Sequence, residues 1–173
     1  VAVESVETHR RSHRRTANRA AAMNAVVREF VDIDRPALRE LFVASRNDAF
    51  PWVSRNAHRL EDFDAVTQGE RILVALNAGS PVGFASVSEF DSFLHNLFVD
   101  PQFQGKGVGK ALLAACERYF STMPTLKCVK ANVRATLFYQ SQGWTVRHEA
   151  EGPDGTYLLM EKHRPSPRDG QSE

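Results

Sequence analysis

A chain of 173 residues, 42% hydrophobic and 25% charged, has the make-up of one soluble globular domain. Its net charge of +1 hides an asymmetry: residues 1–22 hold five arginines against two glutamates, whereas residues 23–173 hold 17 basic and 19 acidic side chains, so the folding part offers no polyanion-binding surface. Two distant cysteines, Cys116 and Cys128, exclude a disulfide framework and a close-spaced metal pattern, and no apolar run approaches the ~18 residues of a membrane span, so no metal site is expected and a cytoplasmic location is.

Residues 1–22 contain Arg10-Arg11-Ser12-His13-Arg14-Arg15 and only scattered valines as larger apolar residues, so they cannot bury enough surface to offset ordering. They are read as a disordered basic arm, a solvated tail or sequence upstream of a start at Met23, in preference to a nucleic-acid or membrane-surface segment. One domain is expected over residues 23–163, and residues 164–173, rich in Pro, Ser and charge, read as a disordered tail.

Within the domain, Val26 to Phe30 reads as a strand. Asp34 and Pro36 then open a helix carrying Leu38, Leu41 and Phe42 at helical spacing. An aromatic loop, Ala49-Phe50-Pro51-Trp52-Val53, leads to a weaker helical stretch with Leu60, Phe63 and Val66, closed by Gly69. Arg71 to Leu76 and Val82 to Val87 form a hairpin around a turn-rich Asn77 to Pro81, and Glu89-Phe90-Asp91 turns the chain into a strand, Phe93 to Val99, that Asp100-Pro101 stops. Beyond a glycine loop, Ala111 to Tyr119 has good helix composition, and Leu126 to Ala131 reads as a strand. That crossover makes the strands at Phe93 and Leu126 parallel. Arg134 to Gln142 is a short helix ended by Gly143, and Trp144 to Glu151 with Thr156 to Lys162 form a last hairpin around Asp154-Gly155.

The loop Gln104-Gly105-Lys106-Gly107-Val108-Gly109-Lys110 places glycines at alternate positions directly before a helix. Unpaired amides at a helix start, aided by the helix dipole, bind phosphate, and side-chain-poor backbone lets the anion approach. Two familiar phosphate loops fail by register. A Walker loop would need glycine at Gln104 and Ser or Thr at Ala111, and a dinucleotide fingerprint would need glycine at Lys110 or at Leu112.

The spacing that does fit is Gln/Arg-x-x-Gly-x-Gly/Ala, met by Gln104, Gly107 and Gly109 after the strand end Val99-Asp100-Pro101. In this the chain resembles the GNAT superfamily of acetyl-CoA-dependent N-acetyltransferases. A second block agrees: Asn132-Val133-Arg134-Ala135-Thr136-Leu137-Phe138-Tyr139-Gln140-Ser141-Gln142-Gly143-Trp144 resembles the superfamily's Asn-x-x-Ala-x-x-Phe-Tyr-x-x-x-Gly-aromatic segment. The resemblance covers Val26 to Lys162. It implies a single α/β domain of α+β type, with a central mixed, mostly antiparallel sheet, a splayed parallel strand pair and about four flanking helices. The implied activity is acetyl transfer from acetyl-CoA to an amine of a small molecule or peptide, by direct attack in a ternary complex. A non-catalytic acyl-CoA sensor of the same fold is the competing reading, and the fold leaves room for a homodimer.

Residue roles follow from the same resemblance. Coenzyme A would be held by Leu97, Phe98 and Val99 on the strand, by Gln104, Gly105, Lys106, Gly107, Val108, Gly109 and Lys110 in the loop, and by Asn132 and Phe138 across from them. Asn132 equally suits a helix cap. Tyr139 matches the family tyrosine near the coenzyme sulfur, where its hydroxyl can protonate the leaving thiolate. His95, on the strand that would face both substrates, is the candidate general base, with Glu89 in reserve. Phe50, Trp52 and Phe63 are candidate walls of the acceptor pocket, although Phe63 equally suits the core.

Overall fold

A computed structural model describes residues 25–51, 54, 57–153 and 155–163. The basic arm, Trp52, Asp154 and the C-terminal tail lie outside the described residues. Seven strands form one sheet in the order β1-β2-β3-β4-β5-β7-β6: β1 is Val26–Glu29, β2 Arg71–Asn77, β3 Ser80–Ser88, β4 Phe93–Val99, β5 Thr125–Val129, β6 Thr145–Gly152 and β7 Gly155–Glu161. Only β4 and β5 pair in parallel; the other neighbours are antiparallel. Four α-helices are described: α1 Arg35–Ala49, α2 Asp62–Val66, α3 Val108–Cys116 and α4 Val133–Ser141.

The centre of the sheet is buried on both faces, so β2 and β3 are continuous apolar runs and not alternating ones. Leu73, Ala75, Ala85 and Val87 point into one core with Leu112 and Cys116 of α3, and α4 adds Phe138 and Tyr139 at its border. Val74 and Phe84 point into the other core with Leu38, Leu41 and Phe42 of α1. Phe63 of α2 sits there too, fully buried and edge-on to Phe84 at 5.2 Å between ring centres. Its expected place in an acceptor pocket is therefore wrong: α2 turns Phe63 under α1, and burial of a whole phenyl ring outweighs any surface use. Asp64 fixes that helix by accepting from both Arg35 and Arg39 of α1.

Two irregularities shape the middle of the molecule. The β3–β4 register moves from Ser86↔Asn96 to Val87↔Leu94, leaving His95 as the extra residue of a bulge, a device that re-aims a side chain. The parallel ladder holds only Phe93↔Thr125 and Leu94↔Leu126. Beyond those pairs the strands separate. The amide of Asp100 bonds to Val82 O at 2.9 Å, so by the two-residue strand period Leu97 and Val99 turn their backbone groups to the other side, toward β5.

Candidate active site

The split between β4 and β5 opens into two adjoining cavities that share Leu97, Phe98, Asn132, Ala135 and Tyr139. The first is also lined by Val99, Gln104, Gly105, Gly109 and Phe138, so most of the coenzyme residues expected from the sequence come together. Gln104 donates to Val99 O at 3.1 Å, and Ser45 Oγ lies 3.4 Å from the same oxygen. The expected contribution of Val99 is narrowed accordingly: its carbonyl already has a donor, and the free backbone groups on this edge are those of Leu97 and the Val99 amide.

The loop meets its stereochemical requirement at Gly107, whose φ of 89° is left-handed and which caps α3. Helix α3 starts at Val108, three residues before the sequence suggested, and its first amides have no partner within the helix. Val108 itself is 1% exposed in the core, so its side chain plays no part in the cavity. Lys106 stands over the Phe103 ring at 5.2 Å, and neither it nor Lys110 lines the cavity. Those two lysines, like the side-chain-free Gly107, were expected as coenzyme contacts and are not among the lining side chains.

Gly109 faces the Phe138 ring, where an added Cβ would come within 3.1 Å of Cζ. Asn132 caps α4, its Oδ1 accepting from the Ala135 amide at 3.1 Å, while it lines both cavities. Tyr139 packs against Phe138 and Trp144 at the junction of the cavities. Burial, reinforced by the nearby Cys128 and Cys116 thiols, pushes its phenol well above the usual tyrosine value. It therefore holds its proton at neutral pH.

The second cavity is lined by His95 and Phe50, the candidate base and a candidate acceptor wall, and by Arg46, Lys127, Cys128 and Tyr157. His95 is 43% exposed and its Nδ1 lies 3.3 Å from Oε1 of Glu70, which is only 11% exposed. Glu89, the reserve base, lines neither cavity: it accepts from Arg71 at 2.8 Å. Burial raises the Cys128 thiol, against a weaker opposing bond from Thr136, and pushes Cys116 up to about 12. Both are protonated thiols rather than nucleophiles. Arg46, Ser45, Lys127 and Glu70 were not singled out from sequence, and Arg134, which lines the first cavity, was noticed only as part of a motif.

A mixed sheet that parts at its one parallel pair, with free amides of a helix start at one end of the gap and a protonated tyrosine at its middle, defines an acyltransferase that uses coenzyme A. The chain belongs to the acetyltransferase (GNAT) family, whose sequence profile matches residues 30–144. It is an N-acetyltransferase with acetyl-CoA as co-substrate and an amine as acceptor. It is 29% identical over 126 residues to the peptidyl-lysine N-acetyltransferase YiaC of Escherichia coli (strain K12), covering 70% of this chain and 84% of that protein. Its fold matches the apo form of YjaB from Escherichia coli at 24% identity and a TM-score of 0.67, covering 80% and 97% of the two chains. It likewise matches the PaiA N-acetyltransferase of Thermoplasma acidophilum, solved with coenzyme A, at 19% identity and a TM-score of 0.67, covering 82% of this chain and 100% of that one. Among the described residues no helix is long and apolar enough to cross a membrane.

Proposed function

We propose that the chain acetylates a primary amine of a small molecule or peptide by direct attack within a ternary complex, with Tyr139 as general acid and His95 as general base. The observation that carries this reading is the position of Tyr139, the ionisable side chain common to both cavities. One cavity suits the pantetheine arm and pyrophosphate: Leu97 offers free strand backbone, the start of α3 offers amides, and no acidic side chain lines it among the described residues. The other brings an acceptor beside His95.

In the reaction the amine lone pair attacks the thioester carbonyl carbon, the C–S bond breaks, and the thiolate takes the Tyr139 hydroxyl proton. The proton lost by the attacking nitrogen goes to His95, and solvent returns the phenolate and imidazolium to their starting forms. Direct attack is favoured over an acyl-enzyme because Cys128, the thiol at the cavity wall, is held protonated by burial. That YiaC acts on peptidyl lysine supports a peptide amine as one acceptor class. Thiol release from acetyl-CoA over a panel of amines tests the reading, and acetyl-CoA binding with no turnover of any amine would replace it with the sensor alternative.

A further inference from the structure

The second cavity carries an unexpected charge for a site that receives an amine. Arg46, in the last turn of α1, and Lys127, on β5, both line it, and none of its described lining residues is Asp or Glu. Among the described residues neither cation has a carboxylate partner. Arg28, Arg35, Arg39, Arg71 and Arg134 each lie against a carboxylate. Arg46 instead sets its guanidinium over the Phe42 and Phe50 rings at 5.6 and 5.0 Å, and Lys127 holds its ammonium 4.8 Å above Tyr157. The Nε of Arg46 is also buried with no hydrogen-bond partner.

A guanidinium N–H stripped of water and left without an acceptor is destabilising, and an anion is the partner that suits its planar geometry. The coenzyme A phosphates have their own place. They suit the glycine loop and the start of α3, which border the first cavity, and neither Arg46 nor Lys127 lines that cavity. An amine with no compensating negative charge would instead be repelled by two cations on its way to His95.

We propose that the acceptor is a primary amine carrying an anionic group close to the amine, with Arg46 and Lys127 binding the anion while the nitrogen faces His95. This rests on the reading that the second cavity receives the acceptor. A carboxylate next to an amine occurs in a free amino acid and in a lysine flanked by acidic residues, and the cavity chemistry is the same for both.

Matched pairs of amines test the proposal on the full chain. One pair is L-phenylalanine and L-phenylalaninamide; the other is a capped Glu-Lys-Glu peptide and its Gln-Lys-Gln counterpart. Thiol release from acetyl-CoA should show kcat/KM about tenfold or more higher for the anionic member of at least one pair, and the pair that responds identifies the source of the carboxylate. Lys127→Glu should remove or invert that preference. Calorimetric titration of the coenzyme A-loaded chain with the N-acetylated products of both pairs reads the cavity without turnover. Anion-selective product binding with no thiol release from any amine would leave the anion site standing and remove the catalytic reading. Thiol release without selectivity in either pair, a preference unchanged in Lys127→Glu, or the absence of selectivity from both measurements would overturn the proposal.

Discussion

The Oε1 atom of Glu70 lies 3.3 Å from Nδ1 of His95, and its other carboxylate oxygen is buried with no hydrogen-bond partner. A carboxylate at Nδ1 favours the tautomer protonated there and leaves Nε2 as the nitrogen able to accept a proton. Glu70 is thus placed to fix the orientation and tautomer of His95. The other charged groups around the pair are Arg46 and Lys127 in the cavity, and Arg71, Glu29 and Glu89 beside Glu70. If His95 is the base, His95→Ala costs roughly a hundredfold in kcat/KM near neutrality, a loss that shrinks at higher pH as the acceptor amine deprotonates by itself. Glu70→Gln should lower kcat/KM about tenfold, because the imidazole loses the acceptor that fixes its orientation, and should cost nothing further in a His95→Ala background. An equal loss on Glu70→Gln in the His95→Ala background would leave Glu70 without a positioning role.

Tyr139 gives a cleaner separation of binding from chemistry. Its proton is retained because burial disfavours the phenolate, and in the proposed role that is the proton passed to the departing thiolate. Tyr139→Phe keeps the ring contacts with Phe138 and Trp144 while deleting the donor. Turnover should fall by roughly ten to a thousandfold with coenzyme A affinity almost unchanged, since acid help acts in the transition state. Steady-state kinetics with calorimetry decides it, and wild-type turnover would return Tyr139 to a packing role.

What could be read from the sequence was what depends on near neighbours along the chain. The glycine loop, the Asn132 to Trp144 segment and the parallel crossover are each written in a few consecutive residues, and the structure brings them to one gap. Glu70 was missed because its link to His95 runs through pairing: Arg71 is opposite Val87, Val87 is opposite Leu94, and the bulge then sets His95 beside the start of β2. No spacing rule anticipates that. Phe63 shows the complementary limit, since helical periodicity identifies a buried side chain without saying whether it faces a pocket or a core. Arg46 and Lys127 become informative only once the cavity lining is seen to hold no carboxylate among the described residues.

The glycine loop should fail in two distinguishable ways. Gly107 has a left-handed φ of 89° with nothing near its missing Cβ, so Gly107→Ala acts through backbone strain at the start of α3. Gly109 is helical, and its missing side chain leaves room beside Phe138. Gly109→Val should fill that space and weaken coenzyme A binding by about tenfold or more while the fold survives. Calorimetric titration measures both, and unchanged affinity in a folded Gly109→Val chain would remove the proposed phosphate and pantetheine site.

Asp34 sets an acid-stability limit away from the active site. It is 4% exposed and accepts from Arg28 Nη1 and Nη2 at 2.7 and 2.8 Å and from the Val31 amide at 3.0 Å, tying β1 to the start of α1. The Arg28 bonds hold its carboxyl below the usual aspartate range, with burial opposing them and the Val31 amide assisting. A folded-state pKa below the unfolded value of about 3.9 means the contribution is fully present above that pH and is lost as pH falls through the lower folded value. Asp34→Asn keeps an acceptor for Val31 but deprives Arg28 of its anion, so it should destabilise by about 1–2 kcal/mol at pH 7, a fall in Tm of roughly 2–8 °C. The difference from wild type should shrink as pH drops below about 4 and vanish once both states bind the proton, because the wild-type chain then also lacks the charge. Other acidic groups titrate equally in both proteins, so the Tm difference isolates this one. A gap between the two melting curves that stays constant from pH 7 to pH 3 would show that Asp34 stabilises the fold by packing and not by its charge.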